Sequence, residues 1–190
     1  MRSVGVDAAV LDYGCGRGRL CGELAQRGFQ QLTGVDYSRE MIDAAKREHP
    51  ALDFLVVDGE TLPFADARFD AVLLFAVLTC IPSGAAQRRL IAEVNRVLRP
   101  GGLLLISDYP LQTDARNVAR YDAYVQESGD PAAYGTFRLP DGGLVRHHRH
   151  DWFSSLLAGW SSEPEVTFDA TTMNGNPARI VQIWAHARPA

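Results

Sequence analysis

The sequence predicts an α/β fold built on a mostly parallel sheet, because short apolar runs alternate with amphipathic helical patterns along most of the chain. The clearest unit is the apolar run at residues 8–13, which is followed by glycines at alternate positions and then by a helical pattern. Two further apolar runs, at residues 31–36 and 52–57, each end at or next to a carboxylate. Strands separated by helices are joined by right-handed crossovers, so we expect these carboxylates to meet at one edge of the sheet.

The remaining elements continue this alternation. The predicted helices have one apolar face and cover residues 19–26, 39–49, 85–98, 113–128 and 152–158. The predicted strands of the sheet are rich in aliphatic residues and cover residues 8–13, 31–36, 52–57, 69–75, 103–107, 165–170 and 180–187. Turn residues at 140–143 predict a separate hairpin over 136–146. We therefore predict a seven-stranded sheet with helices on both faces, in one domain over residues 1–190.

Composition narrows the class of protein. A chain of 190 residues, 46% of them hydrophobic, can bury a sizeable core as one domain. A net charge of −4 argues against a broad nucleic-acid surface, and no apolar run is long enough to span a membrane. The cysteines, Cys15, Cys21 and Cys80, are odd in number and lack metal-ligand spacing, and the first residues lack a signal-peptide core. We expect a reduced, cytoplasmic protein without nucleic-acid or membrane partners.

The glycine-rich turn is the first candidate for a ligand site. Glycines at positions 14, 16 and 18 allow a sharp turn and a close approach of ligand to backbone, beside the free N–H groups of the next helix. Asp36 stands near the spacing at which a carboxylate accepts hydrogen bonds from a ribose. Asp58 adds a second carboxylate, which suits a site for both ribose and adenine. The G-x-G-x-G spacing differs from the G-x-G-x-x-G of dinucleotide folds, so a dinucleotide-dependent oxidoreductase is the less favoured alternative.

Five motifs follow one another in the order known from one family: D-x-G-C-G-x-G, V-D-x-S, D-G-E-x-L-P-F, F-D-x-V and V-L-R-P-G-G. On these motifs, over roughly residues 8–108, the chain resembles the class I S-adenosylmethionine (SAM) dependent methyltransferases, and especially the small-molecule methyltransferases of the UbiE/BioC type. The resemblance implies a Rossmann-like sheet ending in an antiparallel strand pair, SAM as cofactor and a small molecule as methyl acceptor. Relatives usually carry a helical segment before the first strand that helps to cover the site, and this segment is short here. We expect either that residues ahead of the sequence supply the cover, or that a lid at about residues 109–150 or the partner subunit of a homodimer does so.

The resemblance also implies roles for individual residues. Asp12 helps to hold the ammonium group of SAM, Asp36 accepts from the ribose hydroxyls, and Asp58 accepts from the adenine amine. Each carboxylate has a plainer alternative, as a helix cap or a loop acid. Tyr13 stands where relatives usually carry an aliphatic residue, and is either a core tyrosine or reaches the acceptor pocket. The full set of implied cofactor contacts is Asp12, Gly14, Cys15, Gly16, Gly18, Asp36, Tyr37, Met41, Asp58, Gly59, Glu60, Phe75 and Ala76.

A basic cluster at residues 146–150 provides the candidates for acid–base chemistry. His147 and His148 are our catalytic candidates, as a cationic or general-base wall beside an acidic or hydroxylated acceptor. The alternative is a solvated strand end that leads into a helix capped by Asp151. A metal site would need a cysteine or carboxylate partner, so no metal is predicted. We predict methyl transfer by direct displacement, and a non-catalytic SAM-binding or regulatory subunit remains the alternative because no clear acid–base pair is visible.

Overall fold

The computed structural model describes residues 4–59, 61–172 and 175–187. Glu60, a predicted cofactor contact, and Asn174, which lies between the strands predicted at 165–170 and 180–187, are outside these ranges. The strands are β1 (Ala9–Tyr13), β2 (Gln31–Asp36), β3 (Asp53–Val56), β4 (Phe69–Phe75), β5 (Leu98–Asp108), β6 (Thr136–Arg138), β7 (Leu144–Arg146), β8 (Ser161–Ser162), β9 (Val166–Thr171) and β10 (Pro177–His186). The helices are α1 (Arg19–Gln26), α2 (Arg39–Glu48), α3 (Gly84–Val97), α4 (Ala115–Ser128) and α5 (His150–Leu156), with 3-10 turns at Leu78–Cys80 and Pro131–Ala133.

The main sheet has the strand order β3-β2-β1-β4-β5-β10-β8, with β9 paired to β10. The strands from β3 to β5 are parallel, whereas β10 is antiparallel to β5, β8 and β9. This confirms the predicted mostly parallel α/β fold with antiparallel strands at its C-terminal end. In the described part of the chain the sheet has eight strands rather than seven, because the two-residue β8 also pairs with β10. Within the same ranges, no helix is both long and apolar enough to cross a membrane.

The order of the strands creates a switch point in the middle of the sheet. β1 pairs with β2 on one side and with β4 on the other, so the chain leaves β1 in one direction and later returns to its opposite side. At such a point the connections diverge and leave a crevice beyond the carboxyl ends of the strands. All five residues of β1 are buried, as expected for a central parallel strand.

Helices cover both faces of the sheet. On one face Leu11 and Ile106 join a large core with Leu90 of α3 and Phe153 of α5. On the other face Leu73 and its neighbours form a smaller cluster, against which the aliphatic side chains of α1 pack. Helix caps match the local sequence: the Oγ of Ser38 accepts a hydrogen bond from the Met41 N–H at 3.3 Å and starts α2 as predicted.

Several boundaries differ from the predictions by one to five residues, and two of these differences have a clear physical cause. β5 begins at Leu98 rather than at residue 103, and residues 99–102 form an irregularity, because Phe69 pairs with Leu98 whereas Ala71 pairs with Leu103. The Pro-Gly-Gly sequence therefore turns inside the strand and does not precede it. α5 begins at His150, and Asp151 lies in its first turn instead of capping it. In the first turn a carboxylate still interacts favourably with the positive end of the helix dipole.

Candidate functional site

A cavity of about 300 Å³ opens at the carboxyl ends of β1 to β4, at the switch point of the sheet. Its walls come from the glycine turn, the ends of β2 and β3, the segment after β4, and α3. The cavity therefore joins two carboxylates to a mostly aliphatic wall. Its lining residues are Tyr13, Gly14, Asp36, Tyr37, Val57, Asp58, Gly59, Ala76, Val77, Cys80, Ile81, Ala86 and Leu90. Those among them that were predicted as cofactor contacts are Gly14, Asp36, Tyr37, Asp58, Gly59 and Ala76.

The glycine turn is shaped by close packing as well as by its backbone angles. The N–H groups of Gly14 and Cys15 both donate to the carbonyl oxygen of Val35, at 2.8 and 3.0 Å, which bends the chain over the end of β2. Gly14 has a φ of +74°, and a Cβ at this position would lie 2.7 Å from Cγ2 of Val77. Gly18, with a φ of +79°, would bring a Cβ to 2.6 Å from the Phe54 ring. Only glycine fits these two positions without a shift of the neighbouring side chains.

Asp36 supports the turn and faces the cavity at the same time. Its Oδ2 accepts a hydrogen bond from the Gly16 N–H, and its Oδ1 accepts one from the Ser38 N–H, both at 2.9 Å. A carboxylate has about four acceptor positions, so these two bonds leave capacity for hydroxyl groups of a ligand. Asp36 therefore connects the shape of the turn to the polar wall of the cavity.

Asp12 lies beneath the turn and does not line the cavity. Its side chain is 3% exposed, and its Oδ2 accepts a hydrogen bond from the Cys21 thiol at 3.5 Å. Burial raises the pKa of Asp12 to about 7, against the lowering effects of the Cys21 hydrogen bond and of Arg19. At neutral pH this carboxyl group is therefore poised between its neutral and charged forms, and a nearby cationic group would favour the charged form.

The raised pKa of Asp12 predicts a pH-dependent stability difference. The folded protein keeps a proton on Asp12 between about pH 4 and pH 7, where the unfolded chain has released it, so this group makes the free energy of unfolding fall as pH rises through that window. Asp12→Asn removes this dependence. We expect the free energy of unfolding of the variant, relative to that of the wild type, to rise by about 3 kcal/mol between pH 4 and pH 7.5. Denaturant unfolding at each pH measures this difference. A stability difference that stays constant over this range would contradict the assignment.

Asp108, at the end of β5, is a site residue that the sequence reasoning missed. It is 1% exposed, and its carboxylate accepts hydrogen bonds from the N–H groups of Leu78 at 2.8 Å, Thr79 at 3.2 Å and Tyr109 at 2.7 Å. Burial raises the pKa of Asp108 to about 7, and the backbone hydrogen bonds oppose this rise. The side chain fixes the 3-10 turn that follows β4 and carries Cys80 to the cavity wall. Its place at a strand carboxyl end was the signal that could have revealed it.

We expect Asp108→Ala to lower the free energy of unfolding by about 3 kcal/mol or more, because it leaves buried N–H groups without an acceptor. Asp108→Asn keeps one acceptor oxygen and should cost less. Asp130→Ala is the matched control, because Asp130 caps the exposed 3-10 turn at Pro131–Ala133 through the Ala132 N–H at 2.9 Å. Denaturant unfolding should show a loss of only about 1 kcal/mol for that control. Equal losses at Asp108 and Asp130 would argue against the proposed role of Asp108.

The structure does not bring every predicted cofactor contact to the cavity. The side chain of Phe75 faces the opposite side of the sheet, where it packs beside Leu73 and Trp184, because it alternates with Leu74 along β4. Met41 is on α2, 40% exposed, and is not among the lining residues. The Cys15 side chain packs into a separate core cluster, so only its backbone lies in the turn. Glu60 lies outside the described residues.

The predicted catalytic wall of His147 and His148 requires a correction, because both imidazoles are buried and neither lines the cavity. Nδ1 of His147 is 2.6 Å from the Tyr121 hydroxyl, which also accepts from the Gln112 N–H. Burial lowers the pKa of both histidines to about 4; Arg120 adds to this effect at His147. Both rings are therefore neutral at pH 7 and do not form a cationic wall. The alternative of a solvated strand end is also wrong for these two residues.

His148 belongs to a buried network centred on Gln87 of α3, which is 0% exposed. The amide nitrogen of Gln87 donates to the carbonyl oxygens of Leu78 at 2.9 Å and Ile81 at 2.7 Å, and lies 2.9 Å from Nε2 of His148. Its amide oxygen accepts from the Trp152 indole N–H at 2.6 Å. This network joins α3, the 3-10 turn at the cavity and the region of residues 109–150.

The fold and the cavity define a class of protein: an α/β nucleoside-binding protein with a glycine turn and two carboxylates at the switch point of its sheet. Residues 11–106 match a family described as a methyltransferase domain. The chain is 26% identical to a SAM-dependent methyltransferase of Methanosarcina mazei of known structure; the match has a TM-score of 0.89 and covers 98% of this chain and 95% of that one. The chain therefore belongs to the class I SAM-dependent methyltransferases, whose cofactor is SAM.

Curated relatives of the chain are longer proteins. The chain is 30% identical over 155 residues to a demethylmenaquinone methyltransferase of Beutenbergia cavernae, a match that covers 81% of this chain and 60% of that protein. It is 42% identical over 102 residues to a phthiotriol/phenolphthiotriol dimycocerosates methyltransferase of Mycobacterium ulcerans, covering 52% of this chain and 36% of that protein. The chain thus spans between about a third and three-fifths of the length of these two relatives.

The chemistry of the cavity fits SAM. The cofactor presents hydrogen-bond donors at its ribose hydroxyls and its adenine amine, and the cavity presents the carboxylate acceptors Asp36 and Asp58. The faces of the adenine are apolar, and aliphatic side chains such as Val57, Val77 and Leu90 line the same space. Because Gly14 has no Cβ, its backbone can lie directly beside Val77, and both residues line the cavity. The hydrogen-bonding groups and the apolar surface of the cavity therefore match those of SAM.

Proposed function

We propose that this chain transfers the methyl group of SAM to a small-molecule acceptor by direct displacement. One observation carries the proposal: Asp36, Asp58 and the glycine turn, which are far apart in sequence, line one cavity at the switch point of the sheet. A nucleoside carries hydrogen-bond donors on both its sugar and its base, and a carboxylate can accept from each of them. Membership of the methyltransferase family supports the same interpretation.

Different residues around the cavity would bind different parts of the cofactor. Asp36 would accept from the ribose hydroxyls and Asp58 from the base, while the Gly14 backbone would follow the methionine part. Asp12, beneath the turn, would stabilise the ammonium group through its charge. When bound, SAM supplies an electrophilic methyl group with a leaving group already attached. The contribution of the chain is then to hold the two reactants in line and to exclude water.

The acceptor is expected on the side of the cavity that the region of residues 109–150 can cover. Nη1 of Arg146 donates to the Pro82 carbonyl oxygen at 3.4 Å, and its Nη2 donates to that of Ala132 at 3.2 Å. These bonds hold β7 beside the segment that follows β4, next to the cavity-lining Ile81. We infer that this region is a lid, and that His147 and His148 position it through their buried contacts.

Two measurements, made one after the other, test the proposed function. Calorimetric titration should show binding of S-adenosylhomocysteine, the demethylated product of SAM, and no binding of NAD. Incubation with methyl-labelled SAM should then transfer label to at least one of a panel of phenols, amines, thiols and demethylmenaquinone, the last taken from the name of a relative. Binding without turnover on any acceptor would favour the regulatory alternative, and binding of NAD alone would favour the oxidoreductase.

A further inference from the structure

We propose that the hydroxyl group of Tyr13 donates a hydrogen bond to a ring nitrogen of the adenine, so that this residue selects an adenine nucleoside. The inference deepens the proposed function and rests on it, because it concerns a contact within the same cavity. Tyr13 is the last residue of β1, directly before the glycine turn.

Tyr13 has a buried ring and a hydroxyl that reaches the cavity. The side chain is 8% exposed and packs in the main core with Val57, Val77 and Leu90, which also line the cavity. Its hydroxyl oxygen would lie 3.7 Å from a Cβ placed on Gly59, so it reaches the loop after β3. No residue in the described ranges forms a hydrogen bond with this hydroxyl, and it is not among the buried polar atoms shut off from solvent. The hydroxyl therefore faces the cavity with its proton available.

The other polar side chains of the cavity do not offer a comparable donor. Asp36 and Asp58 only accept when they are charged. The Cys80 thiol already donates to the carbonyl oxygen of Ala76 at 3.3 Å, and Tyr37 is 80% exposed. Among the described lining residues, Tyr13 is thus the one whose side chain is buried and carries a hydroxyl group that can donate a hydrogen bond.

Adenine needs this combination of groups. Its exocyclic amine is a donor, which a carboxylate such as Asp58 can accept, and its ring nitrogens are acceptors, which need a donor. Tyr13 lies within the same wall as Val57, Asp58 and Gly59. A base with a carbonyl in place of the amine would present an acceptor to the Asp58 carboxylate and would be disfavoured.

The charges around Tyr13 keep it a donor. Burial raises the pKa of its phenol, and the carboxylates of Asp36, Asp58 and Glu93 raise it further. The phenol therefore remains protonated at neutral pH, and the neighbouring negative charges do not convert it into an acceptor.

The test compares wild type and Tyr13→Phe by calorimetric titration with S-adenosylhomocysteine and with three analogues in which N1, N3 or N7 of the adenine is replaced by C–H. We expect Tyr13→Phe to weaken binding of the unmodified ligand about 3- to 10-fold, as for the loss of one uncharged hydrogen bond. With one of the three analogues, wild type and variant should bind equally, because that ligand has already lost the contact. Tyr124→Phe, on α4 and away from the cavity, is the matched control and should bind as the wild type does.

Each outcome decides a separate point. If wild type binds S-adenosylhomocysteine and Tyr13→Phe binds it equally well, the role of Tyr13 is overturned while the proposed function stands. The same holds if the variant loses affinity to the same extent for the unmodified ligand and for all three analogues, because the hydroxyl would then act elsewhere than on a ring nitrogen. If wild type does not bind S-adenosylhomocysteine, both the proposed function and this inference fail. Thermal unfolding of both variants checks that the isosteric changes leave the fold intact.

Discussion

Replacing Asp36 by alanine is expected to weaken the binding of S-adenosylhomocysteine by roughly 1.5–3 kcal/mol, the range for losing hydrogen bonds to a charged group. The reason is the double position of this carboxylate, which holds the N–H groups of Gly16 and Ser38 while lining the cavity. Its loss removes the acceptor for the ribose and loosens the turn beside the methionine part. Calorimetric titration measures the affinity, and denaturant unfolding shows how much of the effect comes from the turn.

Two further variants separate these contributions. Asp36→Asn retains an acceptor oxygen but loses the charge, so we expect an intermediate affinity. Asp43→Ala removes an exposed carboxylate from α2, outside the cavity, and controls for the change in net charge. An Asp36→Ala variant that binds S-adenosylhomocysteine as tightly as Asp43→Ala would remove the ribose assignment.

A second large effect is expected for Gly14→Ala. The new Cβ would lie 2.7 Å from Cγ2 of Val77, at a residue whose φ is +74°. Left-handed backbone costs an alanine about 1 kcal/mol and overpacking costs about 1–3 kcal/mol, so we expect the free energy of unfolding to fall by about 2–4 kcal/mol. Binding of S-adenosylhomocysteine should fall with it, because the turn and Val77 line the cavity.

Gly16→Ala is the matched comparison for this variant. Gly16 also has a positive φ, +53°, but no heavy atom lies within 4 Å of a Cβ placed there. It should therefore show the cost of backbone strain alone, about 1 kcal/mol. Val77→Ala in the Gly14→Ala background should recover part of the lost stability, since it removes the colliding methyl group. Equal losses for Gly14→Ala and Gly16→Ala, with no recovery from Val77→Ala, would show that packing against Val77 is not the cause.

The parts of the fold that depend on local sequence were predicted closely. α1 and β4 have the predicted bounds, because the amphipathic pattern of α1 between Gly18 and Gly28 and the continuous apolar run of β4 are local signals. The start of β5 was missed because its pairing with β4 determines where the irregularity falls, and no local pattern carries that information. β8 is two residues long and exists only through its pairing with β10.

The residues of the candidate site also fall into those that the sequence could predict and those that depend on the three-dimensional structure. Asp36 and Asp58 were found because carboxylates at the ends of parallel strands must lie at one edge of the sheet. Phe75 was placed beside the cofactor from motif position alone, although side chains alternate along a strand and this one faces away. The burial of His147 depends on how α4 and the hairpin fold over it, a long-range arrangement that a basic run of sequence does not reveal.

A crystal structure of the chain with bound S-adenosylhomocysteine tests the central claim most directly, namely that one cavity at the switch point holds the nucleoside between two carboxylates. The account predicts the ribose hydroxyls within hydrogen-bond distance of Asp36 and the adenine amine within that distance of Asp58, with the methionine part along the glycine turn. A ligand bound elsewhere, or one in this cavity that contacts neither carboxylate, would contradict the account.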